Sequence, residues 1–378
     1  MTTSMKHKII AYFKTLFMFH STDRVWQMPF FAAAGVGIVL FVGHFFGRLD
    51  LGLVAVFGVN AFLYVPNTPI YHRMAVTMCC SFGIIVSFTL GLCTHFAPFS
   101  VIFVVVLVAT LAGILVRYYG LGPPGYFFFV FSCIVGSFLP LSVEDIVMLI
   151  GLITLGTIVA NAMALLYSLS VVYFFKNKQP EPIPVRGELG FDVIIVESVI
   201  MGFFFGVSVL VGQLFDLERS YWVAVSCAAI MQGISLNAIW IKQSQRIIGT
   251  FLGMLFGTWL FQIQFPPLGF IVLLMFLMFM GEFTVVRNYL LAMFFLTPYI
   301  TYLAEIGTLN QMSPDFLIEI RMIDVIVGSV LGLLGGFNMY HPTLRTYFTR
   351  ISGNIFQRLR DKMARKTQEN GDIDKPTT

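Results

Sequence analysis

Long apolar runs, each bounded by Pro, Gly or charged residues, alternate with short polar breaks along most of the chain. A helix that crosses a membrane needs about 20 predominantly apolar residues, and most of the runs approach this length. We predict twelve spans, at residues 29–47, 51–66, 73–95, 98–116, 125–141, 145–175, 191–215, 220–236, 246–263, 266–283, 288–304 and 321–340. The runs at 51–66, 125–141 and 220–236 are short, and we expect them to be tilted or broken.

The composition supports this interpretation. Hydrophobic residues make up 58% of the 378 residues and charged residues 11%, whereas a soluble domain has about 25% charged residues. The sequence therefore predicts an all-α polytopic membrane protein. The five cysteines lie inside apolar runs without metal-ligand spacing, and we interpret them as small core residues.

Polar segments divide the chain into five parts. The stretch KNKQPEPIPVRGE at 176–188 is charged and rich in proline, so we interpret it as the boundary between two halves. The predicted parts are a cytoplasmic amphipathic segment at 1–28, a first six-helix half at 29–175, a cytoplasmic linker at 176–190, a second six-helix half at 191–341 and a basic cytoplasmic tail at 342–378.

The positive charges test this topology. If both termini are cytoplasmic, 20 of the 23 Lys and Arg residues fall on the cytoplasmic side, and only Arg48, Arg219 and Arg321 fall outside. This bias agrees with the positive-inside rule. It requires an even number of spans.

Four short motifs recur in order with a nearly constant offset of 169–173 residues. The pairs are Val42-Gly43-x-x-Phe46 with Val211-Gly212-x-x-Phe215, Val54-Ala55-Val56 with Val223-Ala224-Val225, Arg73 and Thr77 with Arg246 and Thr250, and Val116-Arg117-x-Tyr119 with Val286-Arg287-x-Tyr289. Because each half has six spans, the halves run in the same direction. The sequence therefore predicts two parallel repeats related by a pseudo-twofold axis along the membrane normal. A transport pathway could lie between the halves or within each.

Four arginines stand at the predicted cytoplasmic ends of spans: Arg73, Arg117, Arg246 and Arg287. One interpretation is that they extend to lipid phosphates and fix the topology. The other is that they form a ring of cations that attracts an anion, since ionisable residues near apolar spans are functional candidates. We predict that these four arginines bind the substrate.

Three acidic residues lie in or next to apolar spans: Glu197, Glu282 and Asp324. A carboxylate in a low-dielectric environment binds a proton more readily than in water, so we predict proton coupling by these residues. The alternative is a structural ion pair. Asp324 lies at i+3 from Arg321 on one helix face, and Glu282 could pair with Arg287 or with an arginine of another helix.

A stripe of small residues follows Arg246 along one helix face. It consists of Gly249, Thr250, Gly253 and Gly257, and in membranes such a stripe allows two helices to approach closely. We predict that this stripe, together with Arg321 and Gly328 in the last span, has a structural role in packing. Gly120 to Gly125 includes two prolines and three glycines, so it interrupts the helix as a loop or a re-entrant corner.

The chain lacks known catalytic signatures. It has no Walker loop, HExxH or GxSxG motif and no metal-ligand spacing. We therefore expect no enzymatic activity, no cofactor, no metal and no nucleic-acid partner.

Several motifs resemble those of the fusaric acid resistance family, which contains aromatic acid exporters. The resemblance rests on Tyr221-Trp222, Arg246-x-x-Gly249-Thr250-x-x-Gly253, Arg321-x-x-Asp324-x-x-x-Gly328 and the Gly-Pro-Pro-Gly loop with the Phe run that follows it. Plant aluminium-activated malate channels are distantly similar at the level of six helices. The resemblance implies a bacterial inner-membrane exporter of organic or aromatic acids driven by the proton gradient. Larger members carry a sizeable cytoplasmic domain, whereas here the linker is short.

Two other functions fit the same residues. A passive anion channel would use the arginines without a carboxylate that binds protons. A non-transporting membrane scaffold would use the basic terminal segments to bind a partner or anionic lipid. The expected partners are a small organic anion, the lipid bilayer and further copies of the chain in a homo-oligomer.

Overall fold

The structure is a computed structural model and describes residues 14–22, 24–139, 142–173, 180–183, 190–217, 219–232, 236–305 and 314–340. Within these residues the chain is helical and forms no strand. The predicted tail at 342–378 lies outside the described residues, as do residues 1–13 of the predicted N-terminal segment and most of the linker.

Twelve α-helices of eleven residues or more run through the described residues. They are α1 (Gln27–Phe45), α2 (Leu49–Val59), α3 (Ile70–Cys93), α4 (Val101–Tyr118), α5 (Phe127–Phe138), α6 (Ile146–Tyr173), α7 (Phe191–Leu214), α8 (Tyr221–Met231), α9 (Leu236–Phe261), α10 (Pro267–Thr284), α11 (Tyr289–Glu305) and α12 (Pro314–Tyr340). A 3₁₀ helix at Asn60–Tyr64 continues α2.

Seven of the described segments are long and apolar enough to cross a membrane. They are Gln27–Phe45, Ile70–Phe96, Pro98–Tyr118, Val143–Tyr173, Phe191–Leu214, Pro267–Thr284 and Ile318–Tyr340. The prediction of an all-α, multi-pass membrane protein is confirmed. The count of twelve crossings stays a prediction. The runs expected to be short correspond to shorter apolar helices at Leu49–Tyr64, Phe127–Phe138 and Tyr221–Met231, and a fourth lies at Tyr289–Leu303.

Large apolar side chains cover the outer surface of the helices. Phe45, Phe99, Phe103 and Val147 are each more than 70% exposed. Soluble proteins rarely expose apolar side chains so densely. Lipid chains are the environment in which such a surface is stable.

The helices pack in two groups. In the first group (α1–α6), α1 packs against α2 and α6, α2 against α6, α3 against α5 and α6, and α4 against α5. In the second group (α7–α12), α7 packs against α8 and α12, α8 against α12, α9 against α11 and α12, and α10 against α11. The two groups meet where α4 packs along α7, α1 along α10 and α5 against α8.

Glycines set the closest approaches between helices within each group. A Cβ atom added to Gly253 of α9 would lie 2.9 Å from the carbonyl oxygens of Met293 and Phe294 in α11. In the first group, a Cβ atom added to Gly136 of α5 would lie 2.6 Å from the carbonyl oxygen of Phe88 in α3. At these distances there is no room for a side chain between the backbones.

The start of α9 corrects one predicted boundary. The sequence analysis placed the beginning of this span at Arg246, but the helix begins at Leu236, so Arg246 lies ten residues inside it. The polar residues before Arg246 do not end the helix because they are held inside the protein. Gln243 and Gln245 are both buried, and the Gln245 amide donates a hydrogen bond to the carbonyl oxygen of Leu16 at 3.0 Å.

We expect Gly253→Val to destabilise the protein, because the new side chain would meet the α11 backbone. Overpacking of this kind costs about 1–3 kcal/mol, which unfolding titrations in detergent would measure. Gly151→Val is the matched control, since a Cβ atom at Gly151 of α6 has no neighbour within 4 Å. Equal stability of the two variants would contradict the close contact between α9 and α11.

Candidate functional site

Buried polar groups from both helix groups meet at one end of the helices, which we call the linker end. It carries the end of the 3₁₀ helix after α2, the loop between α4 and α5, and the start of α11. Here the Tyr64 hydroxyl donates a hydrogen bond to the Gly125 carbonyl at 2.6 Å. The backbone N–H of Glu181, in the linker, donates to the Asn67 carbonyl at 2.7 Å.

The side chain of Arg117, at the end of α4, forms a buried ion pair with Glu197 of α7. The Arg117 Nε lies 3.2 Å from the Glu197 Oε2, and the two side chains are 14% and 7% exposed. Arg117 Nη1 also donates to the Ser198 hydroxyl and to the Gly113 carbonyl, both at 3.3 Å. The ion pair therefore joins the first helix group to the second.

A second ion pair joins the groups where α1 packs against α10. Arg24, which precedes α1, contacts Glu282 of α10 with 2.8 Å between Nη2 and Oε2. Sequence analysis had offered Arg287 or an arginine of another helix as the partner of Glu282. The partner, Arg24, belongs to the predicted N-terminal segment at 1–28, where the sequence analysis predicted no ion pair.

Arg73, near the start of α3, is 2% exposed and has neutral partners. Its Nε donates to the Thr68 carbonyl at 2.5 Å and its Nη2 to the Asn67 side-chain oxygen at 3.1 Å. The guanidinium carbon lies 5.9 Å from the centroid of the Tyr167 ring. Within the described residues, Nη1 is buried without a hydrogen-bond partner.

Arg246, inside α9, is 7% exposed and also has neutral partners. It donates to the Tyr289 hydroxyl at 3.1 Å and to the Ser226 hydroxyl at 3.2 Å. Because Arg73 and Arg246 are enclosed by protein, neither extends to lipid phosphates as one interpretation of the sequence expected.

Arg287 differs from the other three arginines. Its guanidinium turns back on the end of its own helix, where Nη1 donates to the Phe283 carbonyl and the guanidinium carbon lies 3.9 Å from the centroid of the Phe283 ring. The four arginines thus have four separate sets of contacts in the part of the chain that the structure describes.

Arg321 and Asp324 lie together on α12. The Arg321 guanidinium carbon is 3.4 Å from the centroid of the Trp222 ring in α8, and Asp324 is fully buried. One turn further on, a Cβ atom added to Gly328 would be 2.7 Å from the Ser226 Cβ atom. These residues therefore lie at the contact of α12 with α8.

The small-residue stripe of α9 faces α11. A Cβ atom added to Gly249 would lie 2.5 Å from the Leu290 carbonyl oxygen, and one added to Gly257 would lie 3.3 Å from Pro298. Thr250 is 3% exposed. The stripe thus places Arg246 next to the start of α11.

Residues 119–126 form a loop between α4 and α5. The sequence predicted either a loop or a re-entrant corner here. Gly120 and Gly125 have positive φ angles of 62° and 60°, which glycine adopts without strain. Besides the bond from Tyr64, the loop accepts one from Gln232 of the second group, whose amide donates to the Pro124 carbonyl at 2.8 Å. The oxygen of the same amide accepts from Lys242 Nζ at 3.1 Å.

The described part of the N-terminal segment packs on the second helix group. Leu16 is 1% exposed, and the Asn288 amide donates to the carbonyls of Leu16 at 3.1 Å and Met18 at 3.2 Å. Sequence analysis predicted a cytoplasmic amphipathic segment at 1–28. The structure shows that residues 14–22 contact the second helix group. These contacts depend on tertiary packing, which the sequence pattern does not show.

We expect removal of one partner of the Arg117–Glu197 pair to be costly. Glu197→Ala should reduce the free energy of unfolding by about 3–5 kcal/mol, because it leaves a buried guanidinium without its carboxylate. The double variant Arg117→Met with Glu197→Met should recover most of the loss. In the same detergent titration, Arg48→Ala should leave the stability nearly unchanged, since its pair with Asp50 is exposed. A loss as small for Glu197→Ala would contradict the buried pair.

We also expect Asn288→Asp to loosen the N-terminal segment. Aspartate keeps the oxygen that accepts the hydrogen bond from the Leu291 backbone N–H at 3.0 Å, but it cannot donate to Leu16 and Met18. Limited trypsin digestion at Lys14 and Arg24 should become faster. Asn338→Asp is the control, because Asn338 is half-buried and donates within its own helix. Unchanged cleavage would show that Asn288 does not hold the segment.

Comparison with known proteins agrees with this description. The family model described as fusaric acid resistance protein-like matches residues 207–335, which run from α7 to α12. An uncharacterized membrane protein of Bacillus subtilis (strain 168), YvaC, is 33% identical over 155 residues. That match covers 38% of this chain and 24% of the relative's length. No solved structure matches the chain.

The family match includes α8, α9 and most of α12, which carry the Tyr221-Trp222, Arg246 and Arg321 motifs on which the resemblance was based. Residues 207–335 are therefore similar to the fusaric acid resistance protein-like family, and the resemblance seen in the sequence is confirmed for this part of the chain.

Proposed function

We propose that this protein moves organic acid anions, aliphatic or aromatic, outward across a bacterial inner membrane without altering them chemically, and that anion binding is linked to proton binding. The observation that carries the proposal is the buried ion pair between Arg117 and Glu197. It supplies a cation for the anion and a carboxylate for the proton at the contact between the two helix groups.

We further infer that the helices form two parallel six-helix repeats that cross the membrane twelve times, with both termini in the cytoplasm. Six helix pairs that pack within α1–α6 recur in α7–α12, with every helix number raised by six. The two most extensive contacts between the groups, α4 with α7 and α1 with α10, exchange under the same operation. The positive charges support the orientation.

Buried cations with neutral partners favour an anion as the substrate. Arg73 and Arg246 are nearly inaccessible, and among the described residues neither forms an ion pair with a carboxylate. An unpaired charge in a low-dielectric environment is unfavourable, so an anion that reaches either arginine gains free energy. A cationic substrate would be repelled.

The Arg117–Glu197 pair links the anion to a proton. An anion that replaces Glu197 on Arg117 leaves a buried carboxylate without its cation, and a proton on that carboxylate would remove the unfavourable charge. Conversely, a proton on Glu197 releases Arg117 for the anion. Each ligand then raises the affinity for the other by the same factor.

In this proposal, Glu282 and Asp324 can also bind the coupled proton. Glu282 is held by Arg24 as Glu197 is held by Arg117. Asp324 is fully buried, so its charge also depends on the groups around it.

The membrane potential gives the direction. An inside-negative potential of 100 mV favours the outward movement of one negative charge by about 2.3 kcal/mol. If a proton moves outward with the anion, the net charge moved is zero, so the concentration gradient of the anion drives export and an inside-alkaline pH gradient opposes it. The two modes can therefore be separated by imposing each gradient alone.

We expect purified protein in lipid vesicles to transport labelled aromatic and aliphatic acids, with a rate that depends on the imposed pH gradient. Arg117→Met should lower the rate about tenfold or more, since hydrogen bonds to charged groups contribute about 1.5–3 kcal/mol. Glu197→Gln should keep transport but flatten its pH dependence. Asp50→Asn is the control because Asp50 is exposed.

Other outcomes would favour the alternative functions. Downhill flux that ignores the pH gradient, in wild type and in Glu197→Gln alike, would indicate a passive anion channel. No flux of any acid from a folded preparation would favour a non-transporting scaffold.

A further inference from the structure

Two cations of α9 lie against one tyrosine of α11. Lys242 and Arg246 are four residues apart, so they share a helix face. The Lys242 Nζ lies 5.0 Å from the centroid of the Tyr289 ring, and the Arg246 Nη1 donates to the hydroxyl of the same residue at 3.1 Å. We call these three residues the cation-pair site.

The other contacts of the two cations are neutral. Arg246 donates to Ser226 and Lys242 to Gln232. Within the described residues, no carboxylate forms an ion pair with either cation, and the buried Arg246 Nε has no hydrogen-bond partner. Two like charges one helical turn apart repel each other, and their enclosure by apolar helices increases the cost. Burial and the neighbouring Arg246 lower the pKa of Lys242 to about 7, and an anion bound at the cation-pair site would favour the charged form of this lysine.

The first helix group has one cation at the corresponding place. The offset that relates Arg73 to Arg246 places Pro69 opposite Lys242. The two groups thus differ in the number of negative charges that they can compensate, and Lys242 is the residue that makes the difference.

Gln232 holds Lys242 in place. Its amide nitrogen donates to the Pro124 carbonyl while its oxygen accepts from Lys242. Lys242 is partly exposed and lies one turn nearer the start of α9 than the buried Arg246. A ligand that enters from the linker end therefore meets Lys242 first.

We propose that the cation-pair site binds a small ligand carrying two acidic groups on one short skeleton, with one group on Arg246 and the other on Lys242. Residues one turn apart on a helix are about 5–6 Å apart at Cβ, a separation that two carboxylates on a two-carbon spacer can bridge. The assignment of this ligand as the transported substrate rests on the proposed function, whereas the binding itself does not.

The test compares acids that differ in one carboxyl group. Succinate and butyrate share a four-carbon chain, and phthalate and benzoate share a ring. We expect calorimetry on the full chain in detergent, at low ionic strength, to give about tenfold tighter binding of each diacid than of its monoacid. Lys242→Gln should reduce this preference to about twofold or less with monoacid affinity nearly unchanged, and Lys242→Arg should keep it. Lys14→Gln is the control for net charge, because Lys14 is exposed.

Equal affinity of the wild type for diacid and monoacid, or no binding of either, would overturn the proposal. So would an undiminished preference in a Lys242→Gln variant that elutes as a folded, monodisperse protein. The vesicle assay separates this result from the proposed function. A diacid preference without flux would support the cation-pair site and contradict the transport function. Flux of monoacids without a diacid preference would support the transport function and contradict the site.

Discussion

A charge enclosed by apolar helices must be compensated within the protein, and this requirement organises the linker end of the molecule. Arg117 meets Glu197 and Arg24 meets Glu282 across two of the contacts between the helix groups. Each partner would be strongly unfavourable there alone. The same contacts that make these charges tolerable therefore fix how the two groups sit against each other at this end.

Contacts within the groups are of another kind. Gly253, Gly136 and Gly328 bring helix backbones close together, and in lipid such packing replaces the hydrophobic driving force that joins helices in water. Apolar packing of this sort does not respond to protons or anions. The ion pairs between the groups do respond. A change in protonation would therefore alter the packing of one group against the other before it altered the packing within either group.

The two groups share a helix arrangement, but their buried polar residues differ. Gly156 of α6 and Gly328 of α12 both lie against the backbone of the second helix of their group. The offset between these glycines places Leu149 and Leu152 opposite Arg321 and Asp324. The second group therefore carries Arg321, Asp324 and Lys242 at positions where the first group has uncharged residues.

Hydropathy and periodicity along the chain determined the membrane class, the helical fold, the short helices and the candidate functional residues. These properties depend on neighbours within one helix, so sequence can show them. Only the tertiary structure decided that Glu197 meets Arg117, 80 residues away, and that Glu282 meets Arg24, 258 residues away. It also placed Arg246 inside α9, because whether a helix continues through polar residues depends on the protein that surrounds them. Ion-pair partners follow from which helices pack together, and helix packing is set by shape over the whole molecule.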